Sequence, residues 1–115
     1  MPFRSKRIPM SDPYQFGWSP DGQRFVAAAL ARNQIDVYDG KTFALVKRFQ
    51  VATTPSHLDF SPDSATVFVS LQDSDKLVAI DLRGLAVKWT EAVGKTPAGV
   101  IWHDGHVLVA CMGAD

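Results

Sequence analysis

The amino-acid sequence predicts an all-β repeat fold, a β-propeller made of four-stranded antiparallel blades. Three prolines, Pro13, Pro55 and Pro97, lie 42 residues apart, and each opens a similar phrase: PYQFGWSPDG, PSHLDFSPDS and PAGVIWHDG. Turn residues recur at fixed places within this period, and a period near 40 residues of this kind is typical of propellers with one blade per repeat. The predicted repeats are 13–54, 55–96 and the incomplete 97–115.

Turn signals divide the first repeat into four short β-rich segments, as hairpin-connected strands require. The predicted strands cover about 14–19, 24–30, 34–39 and 43–51. The sequence SPDG at 19–22 predicts a turn, because Pro20 presets φ, Asp21 can bond the following backbone and Gly22 tolerates a positive φ. Ser64 stands in place of that glycine in the second repeat. We therefore expect a conformationally less demanding turn there.

The second repeat follows the same scheme, and the third stops after two strands. The predicted strands cover 67–71, 77–81 and 85–93, and then 100–102 and 107–112. Residues 1–12 are a candidate for the last strand of a preceding blade, since Lys6-Arg7-Ile8 resembles Lys47-Arg48-Phe49, at an offset of 41 residues.

The length predicts an incomplete ring. The chain of 115 residues holds about 2.7 repeats, whereas closed propellers typically have about 4 to 8 blades. Either the chain is a fragment or several copies assemble. The outer edge of VLVACM and one apolar blade face lack a partner, and such surfaces recruit other strands. We expect other blades, from the rest of the protein or from further copies, to cover them, so that the isolated chain does not persist as a monomer.

Charge and hydropathy exclude several classes of partner. The chain has 12 basic and 12 acidic residues and a formal net charge of zero, which predicts no field for nucleic acid or anionic lipid. The basic N-terminus is not followed by an apolar run of signal-peptide length, so no signal peptide is predicted within this chain. No stretch approaches the roughly 18 apolar residues of a membrane span. The single cysteine, Cys111, excludes an intramolecular disulfide.

Two motifs select among propeller families. Trp18-Ser19-Pro20-Asp21 and Phe60-Ser61-Pro62-Asp63 fit both the WD-repeat and the YVTN-repeat family. The WD-repeat family ends its third strand in Trp-Asp, whereas Val37-Tyr38-Asp39 and Ala79-Ile80-Asp81 stand here. The chain therefore resembles the YVTN-repeat family, whose repeats read roughly V-G-x-x-P, S-P-D-G, L-Y-V-A-N and V-x-V-I-D. Val69-Ser70-Leu71 departs from the usual Val-Ala-Asn.

The resemblance implies a function class and a location. YVTN propellers are mostly bacterial or archaeal, are often periplasmic or at the cell surface, and serve as binding scaffolds. Some related propellers are enzymes. The resemblance therefore implies a bacterial protein in the periplasm or at the cell surface.

Candidate binding residues lie in the loops that a propeller gathers at its top face, before the first strand of a blade and between its second and third strands. His57 is the leading candidate. Its equivalents in the other repeats are Gln15 and Gly99, so the blade fold does not require histidine at this position. A neutral imidazole can ligate a metal or act as acid or base. The alternative is a hydrogen bond to a neighbouring loop. No second histidine has ligand spacing, so no metal site is predicted.

Five further residues are candidates for binding. Arg32 and Asn33, together with Lys95, could bind an anionic group, and the alternative is a solvated loop. Asp73 and Asp75 resemble the start of a calcium loop, but the glycine and the glutamate that such a loop needs are missing, which favours a solvated turn.

Three aromatic residues, Trp18, Phe60 and Trp102, recur at the repeat period. One large apolar side chain per blade at one place is typical of packing between neighbouring blades. We therefore expect these three side chains to fill the gaps between blades.

Two functional hypotheses remain open. The leading one is a non-catalytic scaffold that binds a small ligand or a protein partner through its top-face loops, since the sequence contains no catalytic triad spacing, phosphate loop or paired-cysteine motif. No cofactor and no catalytic residue are predicted on this hypothesis. The alternative is a propeller-type enzyme, a lactonase or a cofactor-dependent oxidoreductase, with a channel-top site that includes His57.

Overall fold

The computed structural model describes residues 13–29 and 32–113, and the side chains from residue 15 onward within these ranges. The prediction for residues 1–12 lies outside this part of the chain. Within the described ranges, ten β-strands form three antiparallel sheets. Blade 1 contains β1 (Pro13–Trp18), β2 (Arg24–Ala29), β3 (Gln34–Asp39) and β4 (Leu45–Gln50). Blade 2 contains β5 (Pro55–Phe60), β6 (Thr66–Leu71), β7 (Lys76–Asp81) and β8 (Ala86–Ala92). Blade 3 contains β9 (Pro97–His103) and β10 (His106–Cys111).

Strand order in the two complete blades follows the chain, β1-β2-β3-β4 and β5-β6-β7-β8. The first strands of neighbouring blades contact each other, β1 with β5 and β5 with β9. This is the arrangement of a propeller, in which the first strand of each blade is innermost. The predicted four-stranded blades and their partial ring are confirmed, and the predicted strands differ by a few residues at their ends.

The turns at 19–22 and 61–64 have the same bonds in both complete blades. Ser19 Oγ donates to Asp21 Oδ1 at 2.7 Å, and Ser61 Oγ donates to the equivalent Asp63 Oδ1 at 2.6 Å. The expectation of a less demanding second turn is wrong. Gly22 has φ +73° and Ser64 has φ +63°, so both turns need a left-handed residue. Ser64 tolerates this because its buried Oγ accepts a hydrogen bond of 2.9 Å from Asp21 N, which joins the two turns.

The main core lies between blades 1 and 2. Alternate residues of a strand point to opposite faces, so each blade has a leading face, toward the preceding repeat, and a trailing face, toward the next. Aliphatic side chains of the trailing face of blade 1 pack against the leading face of blade 2. They are Val26, Ala28, Ile35 and Val37 from blade 1 and Val67, Val69, Val78 and Ile80 from blade 2, all buried.

Of the three aromatic side chains that recur at the repeat period, two pack between neighbouring blades. Phe60 packs against the core between blades 1 and 2. Trp102 stacks on Phe68, with ring centroids 5.8 Å apart, in the core between blades 2 and 3. Trp18 differs from the prediction: it is 50% exposed, and among the described residues its ring contacts Phe25 and Phe43 of its own blade. It lies on the leading face of blade 1, where no preceding blade is described.

Candidate functional site

Two kinds of loop meet at the top face of the blades. One kind joins the second and third strands of a blade, and the other joins the last strand to the first strand of the next blade. Gln72 N donates to Thr54 O at 2.8 Å, and Met112 N donates to Thr96 O at 2.9 Å. The backbone of one loop kind is therefore bonded directly to the other, as the propeller topology predicts.

The two aspartates of the loop after β6 bond to these neighbouring loops. Thr54 Oγ1 donates to Asp73 Oδ2 at 2.6 Å, within the same blade. Thr96 N donates to Asp75 Oδ1 at 2.9 Å, and this bond crosses to the next blade. Ser74, between them, donates to the carbonyl of Thr53. Each carboxylate therefore receives a hydrogen bond from the protein, so the pair fixes the loops in place.

Asn33 and Asp75 occupy the same place in their repeats and have the same backbone conformation. Asn33 has φ +52° and Asp75 has φ +54°. Asn and Asp adopt this left-handed region more readily than other residues with a side chain. The carbonyl of Asn33 accepts from Val51 N, and that of Asp75 accepts from Val93 N, both at 2.9 Å. The blade architecture thus accounts for these two residue types.

Arg32 and Lys95 lie exposed in the top-face loops. Arg32 precedes the left-handed Asn33 in the loop after β2, and Lys95 lies in the loop before β9. The backbone of Lys95 is fixed, because its carbonyl accepts from Gly113 N at 3.0 Å. A Cβ atom on Gly113 would lie 2.3 Å from Lys95 Cβ, so the close approach of these two loops requires glycine.

His57 lies half-buried on β5, beside the equivalent residue of the preceding blade. Gln15 Nε2 lies 3.2 Å from His57 Nδ1. The Oε1 atom of the same amide accepts from Leu58 N at 2.6 Å, which fixes which end of the amide faces the histidine. Gln15 therefore donates to Nδ1, and the neutral imidazole has its proton on Nε2.

The sequence-predicted residues thus fall into three kinds of place. His57 is on an inner strand, and Arg32 and Lys95 are on the surface. The remaining three residues bond to neighbouring loops: Asn33, Asp73 and Asp75. The partners Gln15, Thr54 and Thr96 were not predicted. For Gln15 the signal was present, because residues one period apart on adjacent inner strands lie side by side. For the two threonines no spacing rule gives the loop pairing.

No group of three or more His, Cys, Asp or Glu side chains that could hold a metal ion occurs among the residues the structure describes. In the same part of the chain, no helix has the length and apolar character needed to cross a membrane.

The sequence model of the YNCE-like β-propeller matches residues 4–115. The chain belongs to this family. The match extends over all three repeats. No curated protein matches the chain significantly.

Solved structures share the fold of this family member at low sequence identity. Hydrazine synthase of Kuenenia stuttgartiensis is 24% identical, with a TM-score of 0.83 over 96% of this chain and 32% of that one. The β-propeller domain of Myceliophteria thermophila Cps50 (Swd1) is 13% identical, with a TM-score of 0.80 over 91% of this chain and 33% of that one. The WD40 repeats of RRP9 are 11% identical, with a TM-score of 0.77 over 90% of this chain and 33% of theirs. The chain thus spans about a third of each.

Proposed function

We propose that this part of a β-propeller is a binding scaffold whose top-face loops jointly form the site for a ligand or protein partner. The observation that carries the proposal is the set of hydrogen bonds between loops, above all the one that Thr96 N donates to Asp75 Oδ1 between blades 2 and 3. Loops held by a rigid scaffold are the usual place for binding residues. Because the loops are fixed before a ligand arrives, little ordering entropy opposes binding.

The charged residues of the top face favour an anionic group on the ligand. The side chains of Arg32 and Lys95 are exposed, while Asp73 and Asp75 accept hydrogen bonds from Thr54 Oγ1 and Thr96 N. Guanidinium and ammonium groups bind carboxylate and phosphate through charge-assisted hydrogen bonds. The chemistry therefore supports a carboxylate- or phosphate-bearing ligand, or an acidic segment of a protein partner.

The test is a thermal-shift screen of small carboxylates, phosphates and acidic peptides on the protein that contains this chain. Each compound that raises the melting temperature is titrated against Arg32→Ala, Lys95→Ala and the double variant. Lys41→Ala is the matched control, since Lys41 is exposed on the opposite, bottom face. We expect the double variant to weaken binding by about tenfold or more and the control to leave it unchanged.

Binding that is equally strong in the double variant and in the wild-type protein contradicts the proposal. Binding lost equally in Lys41→Ala also contradicts it, because a nonspecific effect of net charge would then explain the result. A circular dichroism spectrum of each variant checks that the blades are intact.

The second hypothesis, a propeller-type enzyme, has one specific observation in its favour. His57 lies half-buried on an inner strand, and the doubly bonded amide of Gln15 fixes its ring. A fixed imidazole is a feature of acid–base and metal sites. His57→Ala and Gln15→Ala, assayed for metal content and for lactone hydrolysis, test this hypothesis: unchanged metal content and hydrolysis in both variants eliminate it.

The location and the completion of the ring are part of the proposal. We place the protein in a bacterial periplasm or at the cell surface, as the YVTN-like repeats suggest, and fractionation of expressing cells tests this. The exposed apolar side chains of blade 3, Ile101 and Leu108, support completion of the ring by further blades. Light scattering tests this: a stable monomer of the 115-residue chain at micromolar concentration would contradict it.

A further inference from the structure

A small cleft opens at the bottom face, between blades 1 and 2, opposite the top-face loops. Its volume is about 240 Å³. We refer to it as the bottom cleft. It is lined by Asp21, Gln23, Arg24, Ser64, Leu82 and Arg83. Two of these six residues are arginines.

Backbone carbonyl groups anchor both arginines. Arg24 Nε donates to Leu82 O at 3.3 Å, a bond from blade 1 to the residue that follows β7 in blade 2. Arg83 Nη2 donates to Asp63 O at 2.9 Å. A carbonyl oxygen has no net charge, so each guanidinium keeps its full positive charge. Within the described ranges neither arginine forms an ion pair with a carboxylate, and a guanidinium has five N–H donors.

The carboxylate that lines the cleft already has protein partners. Asp21 Oδ1 accepts from Gln23 N at 3.0 Å and from Ser19 Oγ at 2.7 Å. These bonds, and to a smaller extent the charge of Arg83, hold the pKa of Asp21 below its ordinary value of 3.8. The lining itself therefore has two positive charges and one negative charge near neutral pH. Arg83 also acts on the carboxylates of Asp63 and Asp81 outside the lining, and both carboxylates accept hydrogen bonds within their own turns.

The charge of Arg24 also acts on a neighbouring carboxylate outside the lining. It contributes to lowering the pKa of Asp39, which falls mainly because Asp39 accepts from Thr42 N and Lys41 N. Asp39 is thus occupied by its own turn, like Asp21, and it forms no ion pair with Arg24 among the described residues.

The blade fold does not require arginine at the positions of Arg24 and Arg83. Thr66 holds the position of Arg24 in the second repeat, and Lys41 holds the position of Arg83 in the first. The strand pairing is the same in both repeats, since Arg24 pairs with Asp39 and Thr66 pairs with Asp81. The arginine pair is therefore specific to this junction between blades.

We propose that the bottom cleft binds a small oxyanion, a carboxylate or a phosphate group, between the guanidinium groups of Arg24 and Arg83. The planar fork of a guanidinium matches both groups, and bidentate pairs of this kind are among the strongest polar contacts in proteins. The bond from Asp21 N to Ser64 Oγ joins the two turns beside the cleft. The site is therefore formed before the ligand binds.

The experiment is an isothermal titration of the protein that contains this chain, at low ionic strength, with acetate and separately with inorganic phosphate. We expect saturable binding of at least one of the two anions, and the stronger of the two identifies the chemical class. Arg83→Gln and Arg24→Gln should each weaken that binding by about tenfold or more. Lys47→Gln is the matched control and should leave it unchanged, because Lys47 is exposed on β4 and lines neither the bottom cleft nor the top face.

Arg83 is exposed, so Arg83→Gln tests the proposal even if Arg24→Gln disturbs the junction between blades. Arg83→Lys adds a second test, because lysine keeps the charge but lacks the fork, and it should recover only part of the affinity. Saturable binding that is unchanged in Arg83→Gln overturns the proposal, and so does the absence of saturable binding of either anion. Equal loss of binding in Lys47→Gln would show a nonspecific effect of net charge and also overturns it.

Discussion

Asp36 in blade 1 and Val78 in blade 2 occupy the same place in the repeat, on the leading face, yet their surroundings differ. Val78 is buried among aliphatic side chains of blades 1 and 2. Asp36 is 2% exposed and binds Arg48 through two hydrogen bonds, Nε to Oδ1 at 2.8 Å and Nη2 to Oδ2 at 3.1 Å. Tyr38 Oη also donates to Asp36, at 3.4 Å.

The repeat determines the turns and strand pairing of a blade, whereas the neighbouring blade determines which side chains suit its leading face. The pairing of β2 with β3 and that of β6 with β7 are the same, so the turns and strand pattern set the blade. The leading face of blade 2 is matched to an aliphatic trailing face. The leading face of blade 1 combines an ion pair with the aromatic rings of Phe25 and Tyr38, so it is suited to a different neighbour.

The largest expected effect comes from introducing an aspartate in blade 2 at the position equivalent to Asp36. Val78→Asp buries a charge with no cation beside it among the aliphatic residues of the main core. We expect a loss of about 3–5 kcal/mol of unfolding free energy, the cost of an uncompensated buried charge. Against a total stability of about 5–15 kcal/mol, this loss can prevent folding. Urea unfolding followed by circular dichroism measures it.

The reciprocal change, Asp36→Val, is the matched control and should cost about 1–2 kcal/mol. It removes the hydrogen bonds that Asp36 accepts from Gln34, Tyr38 and Arg48. The side chain of Arg48 is 46% exposed, so water can solvate the released guanidinium. If the two variants lose equal stability, the leading faces of the two blades are not different environments and the comparison fails.

The second prediction uses the aromatic position of the repeat. Phe60→Ala leaves a cavity between blades 1 and 2 and should cost about 3 kcal/mol or more. Trp18→Ala should cost less than half as much in the 115-residue chain, because Trp18 is 50% exposed and packs on its own blade. Melting curves of both variants decide this, and a larger loss for Trp18→Ala would show that its face is covered.

The sequence predicted the parts of the fold that repeat. Proline and Ser-Pro-Asp positions located each blade to within a few residues, because turn chemistry acts over a few neighbouring residues. The exposure of Trp18 was not predictable from its periodicity, since burial depends on a neighbouring blade as well as on the residue itself. The left-handed Ser64 was missed for a related reason: its stabilising partner, Asp21, belongs to the preceding repeat.

The candidate site was less predictable than the fold. The sequence named His57 and Asp75 as polar residues near the top face, but their partners Gln15 and Thr96 come from neighbouring blades. Contacts of this kind depend on how blades pack side by side, and local patterns do not contain that information.

The third prediction concerns the left-handed turn residues. Ser64→Ala keeps the positive φ and removes the acceptor for Asp21 N, so it should cost about 1–2 kcal/mol. Gly22→Ala should cost about 1 kcal/mol, because Cβ is disfavoured at this φ while no atom lies within 4 Å of that Cβ. Thermal unfolding compares them. A milder effect for Ser64→Ala than for Gly22→Ala would mean that the bond between turns contributes little.

The smallest expected effect is the response of the equivalent turns to acid. In both turns the pKa of the aspartate is below its ordinary value of 3.8. For Asp21 the main cause is the bond from Gln23 N, and for Asp63 it is the bond from Ser61 Oγ. A carboxyl group whose pKa is lowered by folding stabilises the protein above its unfolded pKa, and this contribution disappears as the pH falls through the folded pKa. The melting temperature should therefore stay level above about pH 5 and fall below about pH 4.

The double variant Asp21→Asn with Asp63→Asn should have a lower melting temperature at pH 7, and that temperature should fall less on acidification. Differential scanning calorimetry from pH 7 to pH 3 measures both slopes. If either single variant accounts for the whole change, the two turns are not energetically equivalent, although their hydrogen bonds match.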